Sequence, residues 1–571
     1  MHVSRSVKFV GLALALAACA QQSNVPTSSV TPTVSSQAAT TARTYLVGFK
    51  AGQGTNTEAI RKVGGQLRRS FTRIEAASAT LTAAQANKLA ADPSVEYVEL
   101  TVTRRADNYI TSDSNTLGKP GGQLGGLNVN WQPSGEFTYG DIALAVPSLR
   151  TQQHTGAGTA VCVGDTGIDG NHPEFAGKLK GFKNFMGDGK DSATALNDVN
   201  QHGTHVAGTI FAQFGAGSNV GPSGMDSNGV GGVAPGVNLY VARVLGDDGS
   251  GTSEGVVEGV NWCVSQLVTQ GGKEQRMVVN LSLGADEGSK TEKRAFQAAY
   301  DAGALVVAAA GNDGVKLPHY PSDYPSVIKV GAVNHLGNLA DFSNHNSKQE
   351  LVAPDVAVLS SVPVGTGLAA SASAAGVATY QSVNPFEFAA AKTVSNLPIV
   401  AAGGEGNRFC EPNAVNAALN GAIALISRGA CPFADKVANA VANHAAAVIV
   451  YNNTTGPLNS VTLGSPRSIP VVGITQADGL ATLTKVQAGS VTGSVSIYAS
   501  DYEYFNGTSM ATPHVAGAAA VVWAAKPGLS NAELRDLLSA TATDLGPNGR
   551  DNFFGNGLVN PGAAIAAAGR R

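Results

Sequence analysis

Gly507-Thr508-Ser509-Met510-Ala511-Thr512-Pro513-His514 decides how this chain is read. Tyr504-Phe505-Asn506 stand before it, and Val515-Ala516-Gly517-Ala518-Ala519-Ala520-Val521-Val522 runs on after it, small and apolar. The apolar run predicts a buried helix, with Pro513 in its first turn, where a backbone donor is not missed. Ser509 then lies where an extended segment becomes a helix, and Gly507 permits a tight approach. A hydroxyl there sits in the positive field of the helix N-terminus, which favours developing negative charge. A lone serine in such a place is usually an N-cap and nothing more. Two upstream stretches point to chemistry instead.

Ala160-Val161-Cys162-Val163-Gly164-Asp165-Thr166-Gly167-Ile168 is a short β-type run that ends in an acid and a glycine turn. His202-Gly203-Thr204-His205-Val206-Ala207-Gly208-Thr209 opens an apolar helical run with a histidine at its mouth. A serine hydroxyl is a weak nucleophile at neutral pH; it needs a base in contact, and the base needs an orienting acid. The chain order Asp, His, Ser and the long motifs around each resemble the subtilisin-like serine proteases, the subtilases. The resemblance implies Asp165 as orienting acid, His202 as general base and Ser509 as nucleophile. It also implies that Asn312, in Ala308-Ala309-Ala310-Gly311-Asn312-Asp313-Gly314, donates its amide to the oxyanion. Read without the resemblance, Asn-Asp-Gly is simply turn chemistry. Asn280-Leu281-Ser282-Leu283-Gly284 resembles the segment that pairs with substrate backbone, which assigns Ser282, Leu283 and Gly284 to substrate binding.

The chain holds 571 residues, 43% hydrophobic and 14% charged, with 69 glycines and a net charge of −3. That length predicts two to four domains, and the charge gives no reason to expect nucleic acid. Arg5 and Lys8 precede an apolar run from Phe9 to Ala18 that is too short to cross a bilayer, so residues 1–19 read as an export signal. Leu16-Ala17-Ala18-Cys19 resembles a bacterial lipobox, with Cys19 as the lipid acceptor. Ala18-Cys19-Ala20 equally fits a signal-peptidase site; the lipoprotein reading is preferred. Any membrane association then runs through that lipid anchor. Residues 20–42, rich in Ser, Thr, Pro and Gln, suit a flexible tether.

Residues 43–104 alternate strand-like and helical stretches in a β-α-β-β-α-β pattern, which resembles the inhibitory propeptide of the subtilases. Residues 105–138, with Pro120-Gly121-Gly122, form a linker where maturation cleavage could fall. The catalytic domain is read over 139–363 and 499–571. Its apolar strands at 158–164, 237–244, 276–282, 304–309 and 327–333 predict a parallel sheet covered on both faces. Leu351-Val352-Ala353-Pro354-Asp355 resembles the segment leading towards the serine, except that Asp355 stands where the family has glycine. Residues 364–498 intervene before Ser509. Their β-rich pattern, with Gly421 to Phe433 and a helix from Ala434 to His444, resembles a protease-associated (PA) domain. Cys410 and Cys431 are read as a disulfide, while Cys162 and Cys263 are left as either a bridge or buried thiols.

The fold class expected is therefore α/β: a subtilisin-like, mostly parallel sheet with helices on both faces. A small α+β propeptide precedes it and a β-rich PA insert interrupts it. The activity implied is a secreted or surface-anchored serine endopeptidase, made as a self-processing precursor. Its partners are protein or peptide substrates and its own propeptide. The chemistry calls for no cofactor; structural calcium is common in that family, though no ligand set stands out. Two rival readings compete with this one. His202 and His205 form H-x-x-H but lack the Glu of a zinc protease motif and a third ligand. A catalytically weak surface protein that binds through its PA insert would be expected to have lost one of the four site residues.

Overall fold

The computed structural model describes residues 41–106, 131, 133–217, 228–380, 382–455, 458 and 461–567. The export signal, Cys19, nearly all of the tether and most of the 105–138 linker lie outside the described residues.

Seven strands form one parallel sheet in the order Leu351–Pro354, Val327–Val333, Ala304–Ala309, Met277–Leu281, Ala160–Asp165, Asn238–Arg243 and Gly181–Asn184. Alternate residues of one strand point to opposite faces, so a strand apolar at every position feeds two cores. Val161 and Val163 of Ala160–Asp165 pack beneath helices His202–Phe211 and Thr508–Ala525. Ala160 and Cys162 face helices Ser253–Ser265 and Lys290–Asp301 on the other side. Cys162 is bonded to Cys263 of the first of these two helices, with Cα atoms 5.8 Å apart. On chain-entropy reasoning, closing so long a loop stabilises by about 4–5 kcal/mol. The edge strand Gly181–Asn184 was not legible in the sequence. It is half-exposed and carries no apolar run.

The N-terminal module is an antiparallel sheet ordered Gln66–Phe71, Ala76–Leu81, Arg43–Phe49 and Val95–Leu100. Helix Ala83–Ala90 begins in a capping box between Thr82 and Gln85. The module sits on helices Ser253–Ser265 and Lys290–Asp301, where Leu46, Phe71 and Ile74 pack with Val257 and Ala295. Arg68 pairs with Glu254 at 3.1 Å and Arg69 with Glu258 at 2.6 Å. Glu99 accepts the backbone N–H groups of Lys290 and Thr291 at 3.0 and 2.9 Å. A carboxylate is favoured at that helix N-terminus. The chain then continues without a break across residue 104 into the strand Thr103–Ala106.

The insert forms a second seven-stranded sheet. Its parallel centre is Thr393–Ala401, Ile423–Ser427, Ala447–Tyr451 and Val471–Ile474. Antiparallel Gly367–Ala374, Thr492–Ser500 and Val383–Pro385 complete it. Cys410 is bonded to Cys431 within it. The chain leaves the catalytic domain on Val358–Ser361 and returns on Tyr502–Phe505, and these two strands pair antiparallel, Val358 with Phe505 and Ser361 with Tyr502. A long insertion is tolerated where its two ends are held side by side. That pairing also delivers the returning strand directly to Ser509.

Candidate active site

Asp165 ends its strand at the carboxyl edge of the sheet, with no solvent exposure. Catalytic side chains belong at such edges in parallel α/β sheets. Its Oδ1 lies 2.7 Å from His202 Nδ1, and the Thr166 N–H donates to the same oxygen at 2.7 Å. His202 is the first residue of its helix and is likewise buried.

Asp198 fixes where that helix starts, and sequence reasoning missed it. Its Oδ2 accepts the Thr204 N–H at 2.7 Å, while its Oδ1 accepts the Gln201 N–H at 3.0 Å and the Thr166 hydroxyl at 2.7 Å. Thr166 Oγ1 in turn accepts the Gly203 N–H at 2.8 Å. The acid-bearing turn and the histidine helix are thus tied at several points. An Asp four residues before the histidine was the available signal, since acids cap helix N-termini. His205 faces the other way. Its Nε2 donates towards the carbonyls of Val358 and Glu503, its ring stacks on Phe505, and burial pushes its pKa down to about 3. It is a packed helix residue.

Helix Thr508–Ala525 is capped by Gly507 at φ 135°, a conformation that suits glycine. Pro513 is not in its first turn, as the sequence reading had it, but in the second, where its missing N–H deprives the Ser509 carbonyl of its helical donor. Ser282 supplies the replacement: its Oγ donates to Ser509 O at 2.7 Å. The Ser509 hydroxyl donates back to Ser282 O at 2.8 Å. Asn312 Oδ1 accepts both the N–H and the hydroxyl of Thr508, at 2.9 and 3.0 Å. Gly311, at φ 97°, leaves no room for a Cβ against Asn344 and His319. Asp355 is buried, and that burial pushes its carboxyl well above the usual carboxylate range.

Leu283 and Gly284 are occupied. Thr103–Ala106 lies between two antiparallel partners, with Ala106 opposite Leu283 and Arg105 opposite Gly284 on one side. On the other side Thr103, Arg104 and Arg105 face Thr252, Gly251 and Ser250. Gly284 has a structural reason as well: a Cβ there would strike the His319 ring. The site therefore brings together Asp165 with His202, Ser509 with Ser282, and Asn312 with Thr508, beside a groove that holds an extended strand. Among the described residues, no group of three or more His, Cys, Asp or Glu side chains is arranged to hold a metal ion. Nor is any helix there long and apolar enough to cross a membrane.

A family model described as the subtilase family matches residues 156–391 and 439–557, and a PA domain model matches 394–482. The two overlap after residue 439; strand pairing places the chain up to Ser500 in the insert's sheet. Subtilisin E of Bacillus subtilis (strain 168) is 33% identical over 345 residues, covering 58% of this chain and 77% of that protein. Subtilisin DY of Bacillus licheniformis is 39% identical over 233 residues, 40% of this chain and 76% of that protein. The crystal structure of the psychrophilic subtilisin-like protease Apa1 from the Antarctic psychrotroph Pseudoalteromonas sp. AS-11 superposes with a TM-score of 0.60 at 28% identity. It covers 76% of this chain and 98% of that one. Fervidolysin from Fervidobacterium pennivorans shares the fold at TM-score 0.56 and 22% identity, over 92% of this chain and 61% of its own.

Proposed function

The chain belongs to the subtilase family and is a subtilisin-like serine endopeptidase, and on that premise we propose that Asp165, His202 and Ser509 are its catalytic triad. The observation that carries this is the 2.7 Å contact between Asp165 Oδ1 and His202 Nδ1, fully buried at the sheet edge. A carboxylate on Nδ1–H fixes the tautomer, so that Nε2 is the basic nitrogen. Ser509 Oγ, now donating to Ser282 O, turns to give its proton to His202 as it attacks a peptide carbonyl. Catalytic hydrogen bonds often tighten only when substrate is bound. Asn312 has its Oδ1 engaged by Thr508, so the oxyanion would take its hydrogen bond from Nδ2. His202 then protonates the leaving amine, and water, activated by the same imidazole, releases the acyl group.

Ser282, Leu283 and Gly284 hold the substrate strand, and the module at 43–104 acts as an inhibitory propeptide on an exported precursor, anchored through Cys19 or released. The supporting geometry is that Thr103–Ala106 fills the same groove. These steps use only side chains of this chain. A fluorophosphonate probe is therefore expected to label Ser509 with or without chelator, and His202→Ala is expected to abolish labelling. Labelling that survives His202→Ala would overturn the triad.

A further inference from the structure

Arg104 goes into the protein where a free strand would leave it in solvent. In Thr103–Ala106 the residues alternate, Thr103 and Arg105 outward and Arg104 inward, and Arg104 has no exposure at all. Its Nε donates to Glu292 Oε1 at 3.0 Å, and its Nη2 donates to Glu292 Oε2. Glu292 is equally buried, in the first turn of helix Lys290–Asp301. The Tyr324 hydroxyl lies 3.1 Å from Glu292 Oε2 and 2.9 Å from the Ser289 carbonyl. The Tyr324 ring stacks on Phe296, with centroids 5.7 Å apart. The result is an apolar-walled socket with one carboxylate at its floor, matched in two parallel bonds to a guanidinium.

Burying such a pair costs desolvation that only good two-point geometry repays, and lysine lacks the planar fork to supply it. The backbone register places this socket relative to the chemistry. Ala106 is opposite Leu283, so a peptide in this register presents its next residue to Ser282, whose carbonyl accepts the Ser509 hydroxyl. With Ser509 as nucleophile, that next residue would carry the carbonyl it attacks, and the Arg104 position is three residues upstream of it.

We propose that Glu292 is a specificity-determining residue that makes this endopeptidase prefer substrates with arginine three residues upstream of the residue whose carbonyl Ser509 attacks. The proposal rests on the assignment of Ser509 as nucleophile. The strand Thr103–Ala106 fills the groove as such a substrate does. Any exported polypeptide with an arginine at that spacing and an extended, accessible backbone belongs to the favoured class. An acidic side chain at the same position is rejected by like charge.

The test uses the self-processed wild-type protein and a set of fluorogenic peptides. Arginine is moved through each upstream position and then replaced, at the third, by citrulline, lysine, norleucine or glutamate. The expected result is a kcat/KM about 30-fold or more higher for arginine than for citrulline or norleucine, at that position only. In Glu292→Gln the arginine-to-norleucine ratio, taken within one enzyme, is expected to collapse towards unity. Wild type labelled at Ser509 by fluorophosphonate that cuts the arginine and norleucine peptides at similar rates overturns the proposal. So does an arginine preference that persists in Glu292→Gln. The wild-type peptide series decides the matter even if that variant does not fold. Protein that is neither labelled nor able to cut any peptide overturns the nucleophile assignment itself, and the proposal with it.

Discussion

Ser282 and Ser509 exchange two hydrogen bonds, side chain to carbonyl in each direction, at 2.7 and 2.8 Å. The first exists because Pro513 cannot donate to the carbonyl four residues back. Helix Thr508–Ala525 thus gives up one internal bond at the residue proposed as nucleophile, and a hydroxyl from the neighbouring strand fixes that residue's backbone.

Ser282→Ala should therefore leave a buried carbonyl without a donor and cost about 1–3 kcal/mol. The measurement is denaturant unfolding in a Ser509→Ala background, which stops self-digestion and keeps the carbonyl. Pro513→Ala restores the helical N–H and should recover much of that loss. The two substitutions are then strongly non-additive. Simple additivity would refute the compensation argued here.

Asn312 separates two duties by atom. Its Oδ1 holds Thr508, and its amide is proposed to hold the oxyanion. Asn312→Asp keeps the acceptor and removes the donor, so the fold should survive while catalysis suffers. The expected fall in kcat is of the size established for the oxyanion asparagine of subtilisin, about 10²–10³, with KM little changed. A kcat within about threefold of wild type would remove Asn312 from the chemistry.

His514 is buried, donates from Nδ1 to Met510 O at 2.7 Å, and has its pKa pushed by burial down to about 4. In the unfolded chain it titrates at about 6.5, so below that pH the unfolded state binds a proton that the native state refuses. The stability it contributes is therefore full above pH 6.5 and lost as pH falls towards 4, by up to about 1.4 kcal/mol per pH unit. His205 acts with the same sign. Burial raises Glu174 and Asp141 to about 7, and these act oppositely. The stability gap between wild type and His514→Gln, both carrying Ser509→Ala, isolates the histidine. It should shrink by about 1.5 kcal/mol between pH 6.5 and 5. A gap that does not change with pH would show that His514 is protonated equally in both states.

What the sequence made legible was what lies within a few consecutive residues. Ala160–Asp165 announces a doubly covered strand because every position is apolar until the acid. The run after Ser509 announces a buried helix for the same reason. The pairings hidden from it join distant segments: Ser282 with Ser509, Asp198 with Thr166, and Arg104 with Glu292. Only Asp198 leaves a local trace, four residues before His202; the other pairings depend on register and crossover that only the folded sheet sets. Pro513 was placed a turn too early because the helix was counted from the apolar run rather than from Gly507. The strand Thr103–Ala106 spans the boundary read at residue 104, and its pairing with Leu283, Gly284 and Ser250–Thr252 exists only in the folded groove.

The strand in the groove also bears on maturation. Thr103–Ala106 hydrogen-bonds on both edges, and the module before it is anchored by the Leu46, Phe71 and Ile74 cluster and by Glu99 at a helix N-terminus. A strand held in this register leads towards Ser282 and Ser509, so one intramolecular cut downstream of Ala106 would separate module from enzyme while leaving it bound. A long-range parallel sheet forms slowly, and a module docked on two of its covering helices can template that step. Ser509→Ala should then fold and accumulate at full precursor mass after export, while wild type shortens. The separated module, added back, should inhibit peptide cleavage in competition with substrate. Mass spectrometry of both proteins, purified free of other proteases, reads the outcome. A Ser509→Ala protein that trims itself as wild type does would show that another agent makes the cut.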